Sequence, residues 1–187
     1  MIFNANHLCD IQRRYRKRQF TYTSGTGTPV VGQTVVGATS GKTAVVSRVG
    51  TGYIVVKDLS GSLTTSETIR IGTTPTFTFT ATLSAQADYQ NSEGEYEHYW
   101  YAEQSGVRCR LFYSSARLVI VVSGAVADKP LRVALPTTIT MTPQTAEEYK
   151  IVTTEAQYTG TYTVERLDTL PGMLAGIDHF EATLREA

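Results

Sequence analysis

Apolar and polar positions alternate along most of this chain with the two-residue period of half-buried strands. The clearest case is Thr76–Ser84 (TFTFTATLS), where Phe77, Phe79, Ala81 and Leu83 share one face and Thr76, Thr78, Thr80 and Thr82 the other. The threonine side suits a partner sheet or a protein interface as well as solvent. Near the end, Tyr158, Tyr162 and Val164 alternate with Thr161, Thr163 and Glu165. Phe180, Ala182 and Leu184 alternate with His179, Glu181, Thr183 and Arg185. Between these two strands Leu170-Pro171-Gly172 predicts a turn, because proline fixes φ and glycine tolerates a positive one. Leu131, Val133 and Leu135 predict another strand up to Pro136, and Ile139 and Met141 alternate up to Pro143. Gly106–Leu111 predicts a short strand with Arg108 and Arg110 on its polar side. Leu118–Val122 is apolar throughout and reads as a strand buried on both faces. One helical turn at 146–149 is expected to precede a strand over Tyr149–Val152. These strands are short, and their free edges require closure or a neighbour.

From Phe20 to about Pro75 the texture changes. Residues 23–29 (TSGTGTP) read as a flexible lead-in, followed by β-rich pieces at Val30–Val36, Thr43–Val49, Tyr53–Leu59 and Thr68–Ile71. Gly37, Gly41, Gly50, Gly52, Gly61 and Gly72 separate them at turns. Residues 20–75 are therefore expected to form an inserted β module, with 1–19 and 76–187 making the main barrel. Gly37–Thr43 (GATSGKT) comes within one residue of a phosphate-binding P-loop. The loop would have to open a helix, however, and Ala44–Val49 reads as strand, so a β-turn is the expectation. The first 19 residues are ambiguous: Leu8, Ile11 and Tyr15 fit a helix, while Cys9, Ile11 and Tyr15 fit one face of a strand.

Composition narrows the classes. Threonine, valine and 15 glycines among 187 residues favour an all-β chain, a small barrel or sandwich with a large insert. The 17 basic and 17 acidic residues cancel, so no overall field recruits nucleic acid or a membrane. No apolar run reaches the roughly 20 residues of a membrane span, and residues 1–10 lack the pattern of a secretory signal. Cys9 and Cys109 do not form a disulfide framework and are expected to be small buried thiols of a protein made in a reducing cytoplasm.

Local chemistry is sparse. Arg13, Arg14, Arg16, Lys17 and Arg18 place five basic residues around Tyr15. They point to contact with DNA phosphates or an acidic partner, against the plainer reading of a solvated charge run. Tyr96, Tyr99, Trp100 and Tyr101 lie in an acidic stretch with Glu93, Glu95, Glu97 and Glu103. They read either as a binding patch, for protein ahead of sugar, or as a hairpin whose aromatics pack on the barrel. His98 has no second ligand beside it, and His7 near Cys9 reads as strand decoration. His179 falls on the polar side of the last strand, as a surface or interface residue. No nucleophile turn, metal-ligand cluster or paired-carboxylate motif occurs, so no enzyme activity and no cofactor are expected.

Outside the insert, the chain resembles the head–tail stopper (head-closure) proteins of long-tailed phages. The matching segments are His7–Ile11, Gly106–Leu111 and Leu131–Pro136, then Tyr162-Thr163-Val164 with Asp168, and 178–184 (DHFEATL). Their order along the chain carries the likeness, and the insert (GQTVVGATSGKT onward) is similar to segments of other phage structural proteins. The resemblance implies a small β-barrel without enzymatic activity, a virion protein of the neck assembled in the host cytoplasm. It would form a homo-oligomeric ring, a hexamer, between portal or adaptor and tail, close the DNA-filled head and contact genomic DNA without reading its sequence. Other classes are a tail terminator, adaptor or capsid decoration, and a carbohydrate-binding module centred on Trp100.

Overall fold

The structure, a computed structural model, describes residues 6–73, 76–113, 131–139, 141, 145, 148–171 and 177–187. Strands that mostly alternate buried and exposed side chains here end in closure: they form two antiparallel barrels of six strands each. Closure removes the unpaired edges that short strands would otherwise present to solvent. The chain divides into two units, 1–14 with 100–187 and 15–99, crossing between them after Arg14 and again after Tyr99.

The first unit takes its barrel from β1 (His7–Arg16), β8 (His98–Tyr113), β9 (Leu131–Leu135), β10 (Tyr149–Thr153), β11 (Gly160–Pro171) and β12 (Ile177–Glu186), in the spatial order β1-β10-β11-β12-β9-β8. Cys9 and Ile11 on β1 face Cys109 and Leu111 on β8, Val133 on β9, Ile151 on β10, Val164 on β11 and Ala182 and Leu184 on β12 in one core. The first strand is thus extended, and of its two expected spacings the one through Cys9 and Ile11 holds. The final pair is the longest hairpin of this unit, with Val164 opposite Leu184 and Leu167 opposite Ala182. A bulge between Val164 and Arg166 shifts the inward positions by one, which carries Leu167 rather than Arg166 into the core. β11 runs to Pro171, where the turn was expected; Gly172 itself lies outside the described residues. The expected strand at Leu118–Val122 and most of the expected helical turn at 146–149 also lie outside them. Ile139 and Met141 are buried beyond β9.

The second unit contains β2 (Arg18–Gly27), β3 (Thr34–Gly37), β4 (Thr43–Gly50), β5 (Tyr53–Lys57), β6 (Thr68–Thr73) and β7 (Thr76–Asp88), ordered β2-β5-β4-β3-β6-β7. Phe20, Val35, Val46, Ile54, Ile69, Ile71, Phe79 and Leu83 fill a separate core. β7 closes this barrel by pairing with both β2 and β6. The insert is therefore wider than the expected 20–75, because the Phe77–Leu83 strand belongs to it and not to the main barrel. Alternation shows that a strand has a buried face, but not which core that face joins.

Two local expectations change as well. Residues 23–27 do not form a flexible lead-in but continue β2, with Thr23 opposite Thr82 and Thr26 opposite Thr80. A register shift there is absorbed by Ser24 at φ 49 and Gly27 at φ 87. Conversely, Val30 and Val31 are not in a strand: they sit in a turn before Gly32 (φ 89), 50% and 58% exposed. Pro29 cannot donate a ladder hydrogen bond, which ends β2 and delays β3 to Thr34.

Candidate functional site

The basic run is built by the passage from β1 into β2. Extended backbone sends successive side chains to opposite sides, so within each unit adjacent cations, Arg13 and Arg14 or Lys17 and Arg18, do not share a face. Within the first unit, Arg13 donates from Nη2 to Glu148 Oε2 at 3.1 Å, lies 3.8 Å from Glu103 Oε1, and its guanidinium covers the Tyr149 ring at 5.4 Å. Arg14 is exposed, with no ion pair among the described residues.

Within the second unit, Arg16 and Arg18 share one carboxylate: they donate to Asp88 Oδ2 at 2.9 Å and Oδ1 at 2.7 Å. Lys17 donates to Glu97 Oε2 at 2.8 Å, and Arg48 approaches Glu97 Oε1 at 3.7 Å. The Arg16 bond, then the Arg18 bond and charge, hold the Asp88 carboxyl below the usual aspartate value although partial burial opposes it. The Lys17 bond does the same for Glu97. Four of the five basic residues are therefore neutralised by the protein's own carboxylates. Phosphates would have to compete with these partners for every cation of the run but Arg14.

The aromatic stretch separates in the same way. In the second unit, Arg16 stacks over Tyr96 at 4.2 Å, and Tyr99 stacks on Tyr15 at 6.0 Å and accepts a hydrogen bond from the Leu59 amide. In the first unit, the Lys150 ammonium lies 4.4 Å from the centre of the Trp100 ring. Tyr101 is 43% exposed. Tyr96 and Tyr99 belong to the second unit, Trp100 and Tyr101 to the first. Each is an anchor with its own partner, which favours the packed-hairpin reading: Gln90 bridges Tyr96 between β7 and β8. His179 is half-buried on β12, away from the aromatic stretch in sequence.

The near-P-loop is a β3–β4 turn, closed by Gly41 N–H to Gly37 O at 2.9 Å. Its amides do grip an anion, but an internal one. The N–H groups of Thr39 and Ser40 donate to Glu67 Oε2 at 3.2 and 3.0 Å. The Ser40 hydroxyl and the Thr64 N–H donate to Oε1 at 3.0 and 2.6 Å. Glu67 is 5% exposed. Burial pushes its carboxyl up, but these four bonds outweigh it and hold the value below that of an ordinary glutamate. Sequence reasoning passed over Glu67, although Thr64-Thr65-Ser66-Glu67 has the Thr-x-x-Glu spacing by which a carboxylate reaches back to an amide three residues earlier.

A second feature not foreseen is a ring cluster in the first unit. His7 meets Tyr158 edge-on at 5.4 Å and accepts at Nδ1 from the Leu111 amide at 3.0 Å, and Tyr113 tilts on Tyr158 at 5.8 Å. His7 is thus tied into the β1–β8 seam through its ring. Among the described residues no group of three or more His, Cys, Asp or Glu is placed to hold a metal ion, and no described helix is long and apolar enough to cross a membrane. No family model matches the chain, and no curated protein or solved structure matches it.

Proposed function

We propose that this chain is a non-enzymatic structural protein of a long-tailed phage neck, a stopper-type connector. It forms a homo-oligomeric ring between portal or adaptor and tail. One observation carries this reading. The segments that resemble stoppers fall on β1, β8, β9, β11 and β12, five of the six strands of a single barrel, although 94 residues separate the first two of them (Ile11 to Gly106). A scattered likeness in sequence thus becomes a contiguous one in space, with the second barrel as the insertion. The side chains support binding and assembly rather than chemistry, since the polar groups that stand out are engaged with one another in ion pairs and turns.

Genome contact is the weaker part of the reading, because Arg13, Arg16, Lys17 and Arg18 already hold carboxylates. A carbohydrate-binding role has less support, since Lys150 stacks on Trp100. Native mass measurement of the purified chain and symmetry-averaged imaging of intact particles carrying a tagged copy test the proposal. Density for the tag at the neck and a ring-sized assembly are expected. Particles whose neck lacks the polypeptide overturn it, and density on the capsid lattice assigns decoration instead.

A further inference from the structure

We propose that Cys9 and Cys109 form a site of reversible oxidation, where a low-molecular-mass disulfide converts the two thiols into an intrachain cystine joining β1 to β8.

The two cysteines are the only ones in the chain, 100 positions apart, and both are buried in the core of the first barrel at 2% and 0% exposure. β1 and β8 are neighbours around that barrel. Two hydrogen bonds tie them on either side of the pair: Leu111 N–H to His7 Nδ1 at 3.0 Å and Gly106 N–H to Asp10 Oδ1 at 2.8 Å. The flanking bonds bracket both cysteines at the same level of the two strands; directly opposed residues of antiparallel neighbours have Cα atoms about 4.5–5.5 Å apart, inside the window of about 4.4–6.8 Å that a disulfide accepts. The Cys9 thiol is hydrogen-bonded to Cys109, and that bond, followed by burial, raises its pKa far above the ordinary thiol value. The Cys9 thiol is therefore held protonated and slow to react while the barrel is closed. Exchange proceeds through opening of the β1–β8 seam or during folding.

The chemistry balances as thiol–disulfide exchange. One cysteine thiolate attacks the external disulfide, forming a mixed disulfide and releasing one small thiolate. The second cysteine thiolate attacks the protein sulfur of that mixed disulfide, forming the Cys9–Cys109 bond and releasing the second. Two protein thiols are oxidised, one external disulfide is reduced to two thiols, and the protein's two protons go to the leaving thiolates. β1 carries the chain toward Tyr15 and β8 carries it back from Tyr99, so the cystine would close the base of the loop containing the whole second unit. A chain folded in a reducing compartment would hold thiols and gain the cross-link in an oxidising medium. The cross-link needs no ring, portal or tail.

The test refolds the full chain in glutathione buffers of increasing oxidised fraction, quenches with acid, alkylates under denaturing conditions and weighs the product. Both thiols are expected to disappear together in a monomer, with peptide mapping joining the Cys9 and Cys109 peptides and reduction by dithiothreitol restoring both. The oxidised chain is expected to melt several degrees above the reduced one, because a loop of roughly 100 residues is closed in its unfolded state. Stable single glutathione adducts, intermolecular dimers, or two free thiols at every poise overturn the proposal. The readout is the unmodified chain, so a Cys9→Ser variant that fails to fold leaves the test intact.

Discussion

Glu67 ties two turns of the second barrel to one carboxylate. It is a buried carboxylate accepting four hydrogen bonds from two turns, at 39–40 and at 64. Glu67→Gln replaces one acceptor oxygen by a donor that must face amide or hydroxyl donors. A loss of about 1–3 kcal/mol is expected, read as a lower urea midpoint at neutral pH. The carboxyl is more acidic folded than unfolded, so as pH falls the unfolded chain takes up its proton first. The stabilisation is complete above the ordinary glutamate value of 4.5 and is lost as pH drops through the lower folded value. Urea midpoints of the parent protein should therefore decline below that pH, and Glu67→Gln should flatten the decline. An unchanged slope would remove Glu67 from this role. Gly37 belongs to the same arrangement, since a Cβ there would lie 2.7 Å from Glu67 Oε2 and against the Ser40 hydroxyl. Gly37→Ala is expected to lower the midpoint as well, by about 1–3 kcal/mol as for other overpacked sites.

At the scale of elements, β7 and the β1–β2 passage can be tested directly. Phe79 on β7 is 2% exposed and meets Tyr22 edge-on at 5.0 Å. Phe79→Ala is expected to cost about 3–5 kcal/mol. In hydrogen exchange, amides of 15–99 should lose protection while those of β9–β12 keep theirs. Protection lost throughout would show that the two cores unfold as one. In the basic passage, Asp88 holds Arg16 and Arg18 and Glu97 holds Lys17, with the cation side chains 51%, 35% and 22% exposed. Pairs this open to solvent are each worth about 0.2–1 kcal/mol, so neutralising the acids should change stability little. It should change binding more. The Asp88→Asn, Glu97→Gln double variant removes the carboxylate partners of Arg16, Lys17 and Arg18, and that of Arg48, and its retention on a phosphate matrix should rise and fall steeply with salt. Unaltered retention would mean that the internal pairs do not mask this segment.

For the whole molecule, two core clusters with no shared member imply two cooperative blocks. Ile151→Ala, at a fully buried position of the first core, should cost about 2–5 kcal/mol. Its loss of protection should fall on 1–14 and 100–187, the complement of the Phe79→Ala pattern. Matching patterns from the two variants would contradict separate blocks. The net charge of zero, read from composition alone, is also realised locally, because the densest basic run faces carboxylates drawn from distant sequence.

The residue pattern by itself determined the fold class, the inward faces of Thr76–Ser84 and of the closing pair, and the turn identity of Gly37–Thr43. Each follows from a two-residue period or from the φ range of glycine and proline, and both act within a few positions. Only the tertiary structure decided which barrel β7 would close, where the insert begins and ends, and that residues 23–27 are strand. It also decided that Arg16 and Arg18 meet Asp88, that a turn resembling a phosphate loop holds Glu67, and that Cys9 and Cys109 share one core. Those outcomes depend on which strands become neighbours when a barrel shuts. Pairing partners separated by 70 to 100 positions leave no periodic trace, because strand alternation reports that a face is covered and not what covers it.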